Sequence, residues 1–147
     1  YSYCKNMDGL KNDVAEKART FILAEVGKTV DRNDLFRSTG HAYIQIAKNE
    51  PHIFRMYLFQ ERKNVSSLDD IYCSETNPNV SKIIAENLNI SISAAKRLHL
   101  NMLIYTIGIG TIYSVTSSSI SEAEIFNQQE LAYEAFLKQA LEDNRNE

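Results

Sequence analysis

The segment from Leu98 to Val115 is the longest apolar stretch of the chain, and polar residues interrupt it, among them His99, Asn101, Thr106 and Thr111. A membrane-spanning helix needs about 20 predominantly apolar residues. The interruptions therefore favour a central helix of a soluble protein, apolar around most of its circumference because other helices cover it. The segment predicts a helical protein built around one apolar helix, and it predicts no membrane partner.

Signals for helix starts and stops recur along the chain, whereas alternating β patterns with hairpin turns are missing. Asn6 is a good N-cap, and Pro51 and Pro78 suit the first position of a helix. Ser121 followed by Glu124 has the pattern of a capping box. We predict an all-α fold, a helical bundle of about six helices, with at most one helical turn near residues 68–72 in the polar segment 60–77.

Residue spacing also predicts which helix faces are buried. The first helix, from Asn6 to about Gly27, is expected to face the core through residues at steps of three and four: Leu10, Val14, Ala18, Phe21 and Ala24. The aromatic helix after Pro51 is expected to be buried on more than one face, including Met56 and Phe59. Gly108 and Gly110 interrupt the central helix, where each glycine costs about 1 kcal/mol relative to alanine, so we expect close packing or a bend there.

Length and charge limit the functional classes. A chain of 147 residues is one ordinary domain, and its net charge of -3 argues against a nucleic-acid clamp, which needs clustered Lys and Arg. Cys4 and Cys73 lie in unrelated contexts without CxxC spacing. This argues against a disulfide framework or a zinc site and favours a reducing, cytoplasmic location.

No residue pattern indicates catalysis. His41, His52 and His99 fall on three predicted helices without HExxH or ExxH spacing, and the acidic residues lie mainly on predicted solvent faces. The sequence therefore predicts no metal, no cofactor and no enzymatic activity.

The predicted interior is rich in aromatic residues and methionine, which fits either a solid core or the lining of a pocket for an apolar effector. The candidate effector-binding residues are Phe21, Tyr43, Phe54, Tyr57, Met102 and Tyr105. Among them, the hydroxyl groups of Tyr43 and Tyr105 are the candidates for orienting a ligand. A buried cavity would favour effector binding, and a fully packed interior would favour the alternative.

The last helix carries an apolar stripe that is broader than one neighbouring helix can cover, and the central helix offers glycines that permit close approach. A two-fold axis would pair both helices with their copies in a four-helix bundle. The predicted dimer interface comprises Gly108, Ile109, Ile112, Tyr113, Ile125, Gln129, Ala132, Phe136 and Ala140, with Phe136 as its main anchor. The alternative is a monomer in which this stripe covers its own core.

Three segments resemble the tetracycline-repressor-like (TetR family) transcriptional regulators. Tyr1–Leu10 is similar to the end of their helix-turn-helix domain, and Ala42–Phe59 is similar to their helix, Asn-x-Pro turn and aromatic helix. Tyr105–Gly110, with the closing capped helix, resembles their glycine-containing and final dimerisation helices. The resemblance covers nearly the whole chain.

The resemblance implies that residues 1–6 are the remnant of an N-terminal helix-turn-helix DNA-binding domain, with Tyr1, Tyr3 and Lys5 contacting DNA phosphates. Residues 7–147 would then form a TetR-type regulatory domain that binds a small-molecule effector and forms a homodimer. The expected function is a DNA-binding transcriptional regulator with repressor logic, which contacts operator DNA through the domain preceding this segment. The alternative is a helical dimerisation or adaptor module without an effector.

Overall fold

The computed structural model describes residues 7–116 and 119–146. Within these ranges the chain forms helices and no strand, which confirms the all-α prediction. The seven described helices are α1 (Met7–Thr29), α2 (Leu35–Asn49), α3 (Pro51–Leu58), α4 (Leu68–Glu75), α5 (Pro78–Leu88), α6 (Ile92–Val115) and α7 (Glu122–Asn146).

Helix α4 extends the single turn predicted near residues 68–72 to two turns. A capping box explains the extension, because the Asp70 backbone N–H donates to Ser67 Oγ over 3.1 Å and the Ser67 N–H donates to the Asp70 carboxylate over 3.0 Å. Hydrogen bonds from the Ser66 backbone and side chain and from Ser67 also lower the pKa of Asp70. The Ser67-x-x-Asp70 spacing is a sequence signal from which this helix start could have been predicted.

Helix α6 lies at the centre and packs against α2, α3, α5 and α7, while α1 packs against α2 and α3. Helix α7 runs antiparallel to α6, since the Ser91 N–H near the start of α6 donates to Asn144 Oδ1 over 2.7 Å near the end of α7. Farther along the pair, Tyr113 and Ile125 pack with Ile44 of α2 in one buried cluster. Helix α7 therefore contacts both α6 and α2 and closes one side of the core.

The buried face of α1 differs from the predicted one. Its buried residues are Ala15, Ala18, Ile22 and Val26, whereas three residues predicted to face inward are exposed: Leu10, Phe21 and Ala24. Both sets have helical spacing, so periodicity alone does not choose between them. The small side chains of Ala15 and Ala18 allow α2 and α3 to approach closely on the observed face.

The aromatic helix α3 is buried on one face rather than several. Phe54 and Tyr57 are buried, but Met56 is exposed and Phe59 is 82% exposed. A side chain at Gly110 would lie 2.8 Å from Phe54 Cζ, so this glycine permits the predicted close packing. Gly108 has no such role within the chain, because a Cβ there would meet nothing within 4 Å.

Other helices cover part of α6, whereas its face at Gly108 and Ile112, two of the predicted dimer residues, is not covered by the described part of the chain. Ile104, Ile112 and Val115 are exposed, and Gly108 lies among them. By length and composition α6 could cross a membrane, but 33% of its apolar window is buried and this buried side is the core of the domain. Packing in the core explains why the buried side of α6 is apolar, but it does not explain why the exposed side is apolar.

Candidate functional site

A cavity of about 210 Å³ lies between α1, α2, α6 and the connection from α4 to α5. Its walls are mainly apolar, with a few hydroxyl, imidazole, amide and carboxylate groups. The lining residues are Val26, Val30, Leu35, Phe36, Thr39, Gly40, Tyr43, Glu75, Thr76, Asn77, Val80, His99, Met102, Leu103, Thr106 and Ile107.

Two helices form the largest walls of the cavity. Helix α2 contributes Phe36, Thr39, Gly40 and Tyr43 at steps of three and four, and α6 contributes a matching row that begins at His99. Residues at these steps share one face of a helix. The two faces therefore meet along the cavity.

One end of the cavity has a network of buried polar groups. The Tyr57 hydroxyl donates to Glu75 Oε2 over 2.8 Å, and Arg62 Nε donates to Glu75 Oε1 over 2.7 Å. The side chain of Glu75 is only 5% exposed, so Arg62 compensates a charge that is shielded from water. Burial raises the pKa of both Tyr43 and Tyr57, which keeps these two phenols protonated.

His99 provides a second polar group. Its Nδ1 lies 2.8 Å from the Tyr72 hydroxyl, and its ring meets the Tyr72 and Phe36 rings edge-on at centroid distances of 5.3 and 5.9 Å. Burial lowers the pKa of His99 to about 4, so the imidazole is neutral near pH 7. A neutral imidazole has one donor and one acceptor nitrogen.

The wall between α2, α6 and α7 depends on a glycine. Gln129 Nε2 donates to Thr106 Oγ1 over 3.2 Å, and a Cβ at Gly40 would lie 2.8 Å from that same nitrogen. Gln129 Oε1 is buried without a hydrogen-bond partner among the described residues. The amide of Gln129 thus occupies space that any larger residue at position 40 would fill.

The structure brings two of the six predicted effector-binding residues, Tyr43 and Met102, to the cavity. Phe54 and Tyr57 lie in the adjoining apolar cluster, and Phe21 is 38% exposed on α1. Tyr105 faces α7, where its hydroxyl donates to the Gln128 carbonyl oxygen over 3.5 Å and its ring meets Phe136 edge-on. The angular position of Tyr105 around the helix axis explains this contact. Tyr105 lies on the side of α6 that contacts α7, away from the face shared by His99 and Met102.

Several lining residues were not predicted. Phe36, Thr39 and Gly40 lie within two turns before Tyr43 on the same helix face, so spacing from Tyr43 could have identified them. Glu75, Thr76 and Asn77 belong to the segment predicted as a polar loop, where no periodic pattern pointed to them. Their position depends on α4.

The structure places most of the predicted dimer residues inside the chain's own core. Ile125, Gln129, Ala132 and Ala140 of α7 are buried, as is Tyr113 of α6, while Phe136 and Ile109 are partly buried. The reason is that α7 lies against α2 as well as α6, so two neighbours cover the broad stripe. Of the predicted set, Gly108 and Ile112 are exposed. Tyr1, Tyr3 and Lys5 lie outside the described residues.

In the ranges 7–116 and 119–146, no group of three or more His, Cys, Asp or Glu side chains could hold a metal ion. No protein-family model, curated protein or solved structure matches this chain. The cavity and the exposed faces of the helices are the features of this chain that bear on its function.

Proposed function

We propose that this chain is the regulatory domain of a cytoplasmic, TetR-type DNA-binding transcriptional regulator, a repressor, which binds a small and largely apolar effector and forms a homodimer. The cavity is the observation that supports this proposal most directly. An apolar space with a few converging polar groups is the usual form of a small-molecule site. A binding role without catalysis fits a site whose groups are a neutral imidazole, protonated phenols and an ion-paired carboxylate.

Helix α1 offers a path from the cavity to a DNA-binding domain. Val26, near its C-terminal end, lines the cavity. A helix of 23 residues is about 34 Å long, so its first turn lies far from the effector. A ligand that binds two orientations of α1 with different affinity would change the positions of two DNA-binding domains in a dimer.

The uncovered face of α6 supports dimerisation through a second copy. Ile104, Gly108, Ile112 and Val115 recur at helical spacing, and Gly108 leaves room for a partner backbone. Leu131 of α7 is also exposed, one turn beyond Gln128, whose carbonyl oxygen contacts Tyr105 of α6. We define these five residues as the outer face, and we propose that it pairs with itself about a two-fold axis.

Ligand binding can be tested with toluene, a neutral apolar probe that a cavity of this size admits. We expect toluene to raise the melting temperature of the chain, because a ligand that binds only the folded state stabilises it. Leu103→Phe, which fills the cavity, should abolish the shift. Leu23→Phe, at an exposed position on α1, is the matched control and should retain it. The proposal fails if no small aromatic compound shifts the melting temperature of the parent.

Operator binding belongs, in this proposal, to a helix-turn-helix domain preceding the regulatory domain. Residues 1–147 alone should then show no sequence-selective binding to duplex DNA in a mobility-shift assay. A tight, sequence-selective complex with this segment would contradict the proposed division of roles.

A further inference from the structure

The volume of the cavity fits a ligand of about one ring. An apolar cavity of about 150 Å³ holds benzene, and the volume here is about 210 Å³. The additional space admits one or two small substituents. This inference rests on the proposed function and names the ligand class for the same cavity.

The charges around the cavity favour a neutral ligand. Glu75 is paired with Arg62, and His99 and Tyr43 are neutral near pH 7. Among the lining residues of the described chain, Glu75 is therefore the one that carries a formal charge, and its ion pair compensates it. A charged ligand would lose its hydration without an unpaired opposite charge to replace it.

The hydrogen-bonding groups favour a ligand that donates a hydrogen bond. A carboxylate has about four lone-pair sites, and each oxygen of Glu75 accepts one hydrogen bond in the structure. Acceptor capacity therefore remains on a residue that lines the cavity. A hydrogen bond to a charged group is stronger than one between neutral groups, which matters for a ligand with few atoms.

We propose that the cavity binds a neutral single-ring compound with one hydroxyl group, a phenol or a cyclic alcohol of similar size, whose hydroxyl donates to the Glu75 carboxylate. Phe36, Met102 and Leu103 then contact the ring. The carboxylate selects for the hydroxyl group, and the apolar walls select for the ring.

Titration calorimetry with p-cresol and toluene tests the proposal, because the two probes differ only by the hydroxyl group. We expect p-cresol to bind at least tenfold more tightly than toluene. In the double variant Arg62→Met/Glu75→Met, which removes both charges together, p-cresol should lose this advantage while toluene binding persists. Tyr57→Phe is the matched control, since it removes one hydrogen bond to Glu75 without removing the carboxylate, and it should keep the advantage.

The outcomes separate this proposal from the function on which it rests. Equal affinity for p-cresol and toluene would overturn the ligand class and leave a ligand-binding cavity in place. Tighter binding of benzoate or benzylammonium than of p-cresol would overturn the neutrality argument. Retention of the p-cresol advantage in the double variant would overturn the role of Glu75, whereas binding of none of these probes would overturn the proposed function itself.

Discussion

At the scale of single residues, Gly110 shows how closely α3 and α6 pack. A Cβ at this position would lie 2.8 Å from Phe54 Cζ and 3.6 Å from the Ala47 Cβ. Phe54 is fully buried, so its ring must move against surrounding side chains to make room for a Cβ. The intrinsic helix propensity of alanine and the local packing therefore act in opposite directions at residue 110.

Gly110→Ala should lower the free energy of unfolding by up to about 2 kcal/mol, because overpacking costs about 1–3 kcal/mol and the gain in helix propensity is about 1 kcal/mol. Urea denaturation measures the change. Gly27→Ala is the matched control, since a Cβ there meets nothing within 4 Å. The control should stabilise the protein by up to about 1 kcal/mol. Stabilisation by both substitutions would show that Phe54 does not restrict residue 110.

Because His99 is buried, the free energy of unfolding of the chain should depend on pH and should be lower in acid. Burial lowers its pKa to about 4, from an ordinary value of 6.5, so between these values the unfolded chain binds a proton that the folded chain excludes. The free energy of unfolding should therefore fall as the pH decreases from 6.5 toward 4, by roughly 1 kcal/mol per pH unit from this residue. Its contribution is complete above pH 6.5.

Urea denaturation of His99→Gln between pH 4 and 7.5 checks this prediction. The variant should lose less stability than the parent as the pH falls, because glutamine does not titrate. His52→Gln, which removes a histidine at an exposed position on α3, is the control. Parallel pH profiles for the parent and His99→Gln would contradict a neutral, buried His99.

At the scale of helices, α4 is held mainly by polar side-chain contacts. Tyr72 is its buried residue, and it bonds to His99. Glu75 is held by Tyr57 and Arg62, and Arg19 of α1 donates a hydrogen bond to the Ser74 carbonyl oxygen. An element with few buried apolar contacts opens at lower free energy than a central helix. Since Glu75 lines the cavity, opening of α4 would also change the wall of the cavity.

Ser67→Ala should increase this local opening. The substitution removes the N-cap of α4 and costs about 1 kcal/mol, which corresponds to roughly fivefold faster amide exchange in a locally opening segment. Hydrogen exchange followed by NMR should show this acceleration in α4, with α6 nearly unchanged as an internal control. Equal acceleration in both helices would mean that α4 opens only with global unfolding.

At the scale of the whole molecule, the proposed dimerisation through the outer face predicts an oligomeric state that can be measured. Ile112 is 58% exposed and Val115 is 61% exposed, on a helix whose opposite side forms the core. We expect the parent to sediment as a dimer at micromolar concentration and Ile112→Asp to sediment as a folded monomer, because a buried, unpaired charge disfavours the interface. Leu23→Asp places the same charge at an exposed position on α1 and should remain dimeric. A monomeric parent, or a dimeric Ile112→Asp, would contradict the proposed interface.

Phe136 was the anchor expected from the sequence, but its surroundings make it a poor test of dimerisation. Its ring meets Tyr105 of the same chain, and it packs on the core cluster of α5 and α6. Phe136→Asp would therefore destabilise the fold itself. Ile112 separates association from folding, since it is 58% exposed and a Cβ at the neighbouring Gly108 would meet nothing within 4 Å among the described residues.

Local sequence signals determined the helical class and most of the helix starts. Pro51 and Pro78 begin α3 and α5, and Ser121 precedes α7 with its hydroxyl accepting from the Glu124 N–H over 3.2 Å. These signals act within one turn of the chain, so they can be interpreted without knowing the neighbours. Tyr43 and Met102 were identified because each lies on a strongly apolar helix face that becomes part of the cavity.

Only the tertiary structure decided which of two apolar faces is buried and which residues meet across the cavity. On α1 the face with Ile22 is buried and the face with Phe21 is exposed, although the two residues are adjacent in the chain. On α7 the stripe with Gln129 covers its own core, because α2 and α6 both lie beneath it. Glu75 reaches the cavity through the position of α4, which depends on contacts with residues distant in sequence. Helical periodicity specifies a set of faces, whereas the packing of several helices together selects among them.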